Sequence, residues 1–135
     1  MKQKKTPQVI IIIGPPGSGK GTQAKLLAEK FDLYHWDTSK IVGRLIAEAK
    51  RGEFVIVERK KYYFEEERKR RLKGLLWNPS FTNHLIKEKI MELAEEKESI
   101  AMTGSPRTLE EGRKLAPFLK KLYGVKNIKV IAIQL

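Results

Sequence analysis

The chain has 135 residues, 28 of them Lys or Arg against 16 Asp or Glu, for a formal charge of +12 with 41% hydrophobic residues. That length and apolar content suit one soluble globular domain, and no stretch approaches the ~20 apolar residues of a membrane-spanning helix. With no cysteine and two histidines, disulfides, thiolate zinc sites, a cysteine nucleophile and a His-based metal centre are excluded, and the expected address is cytoplasmic.

Residues 8–13 are Gln8 followed by the unbroken β-branched run Val9 to Ile13, which ends at Gly-Pro-Pro-Gly. Such a run reads as a strand buried on both faces of a parallel sheet. From Gly19 to Phe31, Ala24, Leu26, Leu27, Ala28 and Phe31 follow helical spacing and leave Lys25, Glu29 and Lys30 for solvent. A short strand is expected over residues 33–36, followed by a helix capped by Asp37 or Thr38 and running to about Ala49. Residues 54–73 read as an exposed helix, although Phe54-Val55-Ile56-Val57 alone would suit a strand.

Asn78-Pro79-Ser80 marks a turn before an apolar stripe of Phe81, Leu85, Ile86, Ile90, Leu93 and Ala94 on a helix to about Glu96. Ile100-Ala101-Met102 is a short strand. Thr108 and Glu111 make a capping box for a helix reaching Tyr123-Gly124, with a kink or restart expected at Pro117 and a last strand over residues 130–135. Strands alternating with helices imply an α/β fold with a parallel sheet.

Gly14 to Thr22 contains Gly-x-x-x-x-Gly-Lys between the first strand and the first helix. Glycines there let successive amides point into one concavity, where the helix N-terminus favours phosphate, and Lys20 adds a full charge for the β- and γ-phosphates. Gly21 replaces the usual hydroxyl residue after the Lys, so Thr22 is the candidate Mg²⁺ ligand and Ser18 a phosphate donor. Gly17, Ser18, Gly19, Lys20, Gly21 and Thr22 are the candidate nucleotide cradle.

The segment Gly-Pro-Pro-Gly-Ser-Gly-Lys-Gly-Thr-Gln at residues 14–23 resembles the phosphate loop of the adenylate kinase and nucleoside monophosphate kinase family. Gly104-Ser105-Pro106-Arg107-Thr108 is similar to that family's Gly-Phe-Pro-Arg-Thr, and Asp37-Thr38-Ser39 stands where the family has Ser-Thr-Gly. The resemblance implies a P-loop NTPase parallel sheet with flanking helices, as one domain over 1–135. Its core would be residues 8–36 and 99–135, with a helical acceptor-binding insertion at about 37–98.

It implies transfer of the γ-phosphoryl of ATP, with Mg²⁺, to AMP or another nucleoside monophosphate. Lys20 and Arg107 would be catalytic, and Thr38, Arg44, Gly104, Arg107 and Glu111 would bind the acceptor. The family's other acceptor-site Arg falls at Gly43 in an ungapped alignment, with Arg44 one place along. Glu111 stands where the family has a base-reading Gln, and as a pure acceptor it would favour a donor-rich base edge.

Two family carboxylates near Mg²⁺ are replaced by Thr103 and Lys40, leaving Asp37 as the nearest acid. The family continues past the last strand into an Arg-bearing lid, so this chain reads as truncated before it, with an exposed sheet edge that invites association. The alternatives are a non-catalytic nucleotide-binding fragment and an RNA-associated P-loop protein. The latter rests on Arg68-Lys69-Arg70-Arg71, on an acid-free stretch from residue 113 onward, and on Tyr62, Tyr63 and Trp77 as stacking surfaces. Core packing is the preferred reading of those aromatics.

Overall fold

The computed structural model describes residues 6–103 and 109–133, and the side chains of residues 109–111 lie outside that description. In chain order the elements are β1 (Val9–Ile13), α1 (Lys20–Phe31), β2 (Tyr34–Asp37), α2 (Thr38–Glu48), β3 (Phe54–Val57), β4 (Lys60–Tyr63), α3 (Phe64–Leu72), α4 (Pro79–Glu95), β5 (Ile100–Thr103), α5 (Leu109–Tyr123) and β6 (Ile128–Ala132). A 3₁₀ turn at Val125–Asn127 precedes β6. Two compact units divide the chain, one of Met1–Thr38 with Ile90–Leu135 and the other of Ser39–Lys89.

The first unit carries a four-stranded sheet in the order β2-β5-β1-β6. All three pairings are parallel, with Val9 opposite both Ile100 and Ile128, and Tyr34 opposite Ile100. Side chains alternate across a strand, and β1 divides its isoleucines accordingly. Ile10 and Ile12 pack with Ala24 and Ala28 of α1, whereas Ile11 and Ile13 line a groove with Leu115, Ala116 and Leu119 of α5. The two helices therefore cover opposite faces, which is why β1 needs no polar side. β5, paired on both sides, is buried at all four positions.

The second unit packs Val42, Ile46, Phe64, Phe81 and Leu85 into its own core, flanked by Val55, Tyr62 and Trp77. Phe64 and Phe81 meet edge to face, with ring centroids 5.1 Å apart. Glu67 is buried at 2% exposure. Its carboxyl oxygens accept from the Asn78 main-chain N at 2.7 Å and from Asn78 Nδ2 at 2.6 Å, which supplies hydrogen bonds that a buried polar group needs.

Three expectations need correction. Residues 54–73 are not one helix: β3 and β4 form an antiparallel hairpin, with Val55 opposite Tyr62, before α3 begins at Phe64. The insertion is thus helical only in part. Val55, Ile56 and Val57 with Tyr62 and Tyr63 form a β-branched and aromatic pair of segments, whereas the Glu and Lys/Arg blocks from Glu65 to Arg71 are helical, on α3. The last strand starts two residues early, at Ile128. Finally, α5 does not restart at Pro117 but continues through it as one helix. Leu115 and Leu119 on either side are buried, and ~1.5–3 kcal/mol for each offsets the ~3 kcal/mol of an interior proline.

Candidate functional site: a phosphate loop and an arginine pocket

All four strands of the parallel sheet end on one side, where ligands of open α/β folds bind. The segment after β1 makes the principal feature there. Gly17 and Gly19 take φ of 78° and 84°, a left-handed conformation that L side chains rarely adopt. Ser18 N donates to Pro15 O at 3.1 Å, closing the turn, and the first α1 bond runs from Gln23 N to Gly19 O at 2.9 Å. The amides of Lys20, Gly21 and Thr22 therefore lie ahead of the helical ladder and are unused by it. No acid occupies the first turn of α1, so its positive end is uncompensated.

Lys20 Nζ donates to Gly14 O at 3.0 Å, which folds the ammonium back over the loop. Ser18 Oγ is buried and has no hydrogen-bond partner among the described residues. An unpaired buried hydroxyl is costly, and here it lies against Gly14, whose carbonyl accepts from the Lys20 ammonium. An anionic oxygen would satisfy both the hydroxyl and the ammonium. Thr22 is exposed on the first turn of α1, two residues past the Lys.

The neighbouring strand ends carry the expected departures from acidic residues. Thr103 is buried at 5% exposure and donates from Oγ1 to Trp36 O at 3.1 Å, spending its hydroxyl on the sheet. Asp37 is opposite Thr103 in register. Thr38 is buried and accepts from Trp36 Nε1 at 2.8 Å, a clamp that the sequence did not announce. No group of three or more His, Cys, Asp or Glu side chains able to hold a metal occurs among the described residues. Thr22 with phosphate oxygens and water still suits Mg²⁺, which keeps several waters and takes few protein ligands.

Gly104 and Arg107 lie outside the described residues, as does the side chain of Glu111. Arg44 is exposed on α2. Its neighbour Gly43 lines a pocket of about 200 Å³ in the second unit, together with Ile46, Arg68, Arg71, Leu72 and Trp77. The pocket escaped the sequence reading because Arg68 to Arg71 looked like a single basic run. Helical i, i+3 spacing, which sets Arg68 and Arg71 on one face, was the available signal.

Comparison with known proteins follows the same lines. A family described as the AAA domain matches residues 13–134. An adenylate kinase from Rhodococcus erythropolis is 34% identical over 113 residues, covering 84% of this chain and 56% of that protein. Adenylate kinases from Chlamydia pneumoniae (34% over 127 residues, 94% and 53%) and Methanothrix thermoacetophila (35% over 125 residues, 90% and 53%) align similarly. The chain spans about half the length of the curated relatives it matches. No helix among the described residues is long and apolar enough to cross a membrane. A strand, phosphate loop and helix on a parallel sheet, matched across residues 13–134, make this chain a member of the AAA-domain family of P-loop proteins, with adenylate kinases among its relatives.

Proposed function

We propose that this chain is a nucleoside monophosphate kinase that moves the γ-phosphoryl of ATP to AMP or another nucleoside monophosphate, at a cytoplasmic address. The observation that carries the reading is the unpartnered Ser18 hydroxyl, buried in a loop with left-handed Gly17 and Gly19 and beside Lys20. Those donors match a phosphate chain, and the similarity to adenylate kinases supports the reaction class. Residues 17–22 hold the ATP phosphates. On binding, Lys20 Nζ leaves Gly14 O for a phosphate oxygen. Thr22 would hold Mg²⁺, which would supply charge neutralisation at the phosphates.

Phosphoryl transfer asks the protein for position and positive charge more than for covalent chemistry. The insertion of about residues 37–98 receives the acceptor, with Thr38, Arg44, Gly104, Arg107 and Glu111 as its contacts by resemblance. Arg107 clamps the acceptor phosphate with its planar fork. A second reading, nucleotide binding without turnover, is favoured by one observation: Thr103, at a position where the family has an acid, spends its hydroxyl on Trp36 O.

Incubation with Mg·ATP and each nucleoside monophosphate in turn, with ADP as the readout, separates the two readings. ADP formed with one acceptor supports the kinase, and ATP bound without ADP supports the second reading. Lys20→Ala is expected to weaken ATP binding at least tenfold by calorimetry and to abolish turnover. Unchanged ATP affinity in that variant would overturn the site.

A further inference from the structure

Trp36, near the end of β2, is fully buried at 0% exposure, and hydrogen bonds join it to the ends of two elements. Its indole Nε1 donates to Oγ1 of Thr38, the first residue of α2, at 2.8 Å. Its main-chain O accepts from Oγ1 of Thr103, the last residue of β5, at 3.1 Å. Both threonines are buried as well, so little solvent competes for either bond. All three residues belong to the first unit.

Sheet formation does not require this arrangement. Trp36 stands opposite Met102 and Asp37 opposite Thr103 in the parallel ladder, which holds β2 beside β5 whatever side chain occupies position 36. An apolar residue would fill the space without donating anything. The indole adds its N–H, which needs an acceptor once buried, and taking Thr38 Oγ1 as that acceptor fixes the Thr38 side chain against the end of the sheet. Thr103 binds the carbonyl of the same residue. The start of α2 and the end of β5 are thus both referred to Trp36.

What adjoins the two hydroxyls gives the arrangement a use. Thr38 is an acceptor contact by resemblance, and Thr103 directly precedes Gly104, which opens the segment carrying Arg107. Misplacing a binding group by about 1 Å can cost ~100-fold in rate. We propose that Trp36 is a positioning residue for the acceptor nucleotide, holding Thr38 through its indole N–H and Thr103 through its carbonyl so that the two acceptor segments keep one mutual geometry. The inference rests on the kinase reading and deepens it. Thr103, at a position where the family has an acid, serves here as a strut.

Calorimetry of the full chain with each nucleoside monophosphate and with ATP separates this role from plain packing. Trp36→Phe keeps an aromatic ring and removes the N–H, and Thr38→Val removes the accepting oxygen at nearly constant volume. Each is expected to weaken monophosphate binding about fivefold or more, the worth of one net hydrogen bond, and to leave ATP affinity within about twofold. Both variants break the same bond, so adding Trp36→Phe to Thr38→Val brings no further loss, whereas independent packing effects would add. Thr103→Val weakens monophosphate binding too, and Thr103→Ser restores it.

If Trp36→Phe does not fold, the indole N–H signal of the unaltered ¹⁵N-labelled chain decides, told apart from that of Trp77 by Trp77→Phe. The signal is expected to shift on saturation with the monophosphate and to lose protection from hydrogen exchange in Thr38→Val. A signal that the monophosphate leaves in place overturns the role. Undiminished monophosphate affinity in Trp36→Phe, an equal loss for ATP, or additive losses in the double variant overturn it as well, while the kinase reading stands. No monophosphate binding to the unaltered chain at millimolar concentration overturns the acceptor reading itself and this inference with it, and Lys20→Ala remains the separate test of the phosphate loop.

Discussion

Gly14 and Ser18 share one small volume, and the loop depends on the glycine having no side chain. A Cβ on Gly14 would stand 2.5 Å from Ser18 Oγ and 3.3 Å from Ile133 Cβ. Gly14→Ala is expected to force the Ser18 hydroxyl out of its position, costing ~1–3 kcal/mol as other overpacked sites do and weakening ATP binding. Gly21, by contrast, has nothing within 4 Å of an added Cβ and lies in α1. Gly21→Ala should leave the nucleotide-free chain as stable or up to ~1 kcal/mol more stable. Thermal melting of the two variants checks the contrast, and equal effects would sink it.

Tyr123 shows a different residue-scale dependence. Its Oη donates to Glu98 O at 2.9 Å. Burial, and secondarily the Glu98 charge, push its pKa up to about 12 from an ordinary 10.0. The folded state therefore favours the protonated phenol. Its contribution is fully present below pH ~10, where the unfolded chain also keeps the proton, and is lost as pH rises towards ~12. The loss across that window is at most ~2–3 kcal/mol at 1.36 kcal/mol per pKa unit. Tyr123→Phe should show a shallower fall in urea-measured stability between pH 10 and 12. Superimposable pH profiles would refute the assignment.

At the scale of elements, the β3–β4 hairpin turns through two residues with positive φ, Glu58 at 50° and Arg59 at 70°. Two-residue turns of that hand prefer Asn-Gly, so neither residue suits its conformation. Glu58→Asn with Arg59→Gly should stabilise the chain by ~0.5–1 kcal/mol, raising the melting temperature by a few degrees. A decrease would show that the two charged side chains stabilise the turn in some other way. Outside the turn, Phe54 and Tyr63 face each other across the strands, with centroids 5.5 Å apart, and Lys61 Nζ is 4.7 Å from the Phe54 ring.

The hairpin was hard to read because its turn carries none of the usual residues and its outer face is charged. α3 was obscured by the same misreading. Once it starts at Phe64, its first turn holds Glu65, Glu66 and Glu67 and its last holds Lys69, Arg70 and Arg71, the order a helix macrodipole favours. α1 was legible as an element, because a glycine-rich turn followed by a helical apolar stripe has few other solutions, but of that stripe Ala24 and Ala28 are buried whereas Leu26 and Phe31 are exposed.

For the whole molecule, a charge of +12 favours anionic ligands generally, while the geometry concentrates that preference. The concentration is the loop after β1. The phosphate loop was specified locally: strand, glycines, Lys and helix are contiguous, so periodicity and composition sufficed to place them. The parallel sheet followed from alternating strands and helices by the same local logic. Long-range packing decided the rest. Only packing makes Trp36 a clamp for Thr38, ties Thr103 to Trp36 O instead of leaving it at the site, carries α5 through Pro117, and brings Arg71 over Trp77 beside Gly43. Each of those outcomes depends on which distant side chain fills a space, and the order of residues along a chain does not encode that distance.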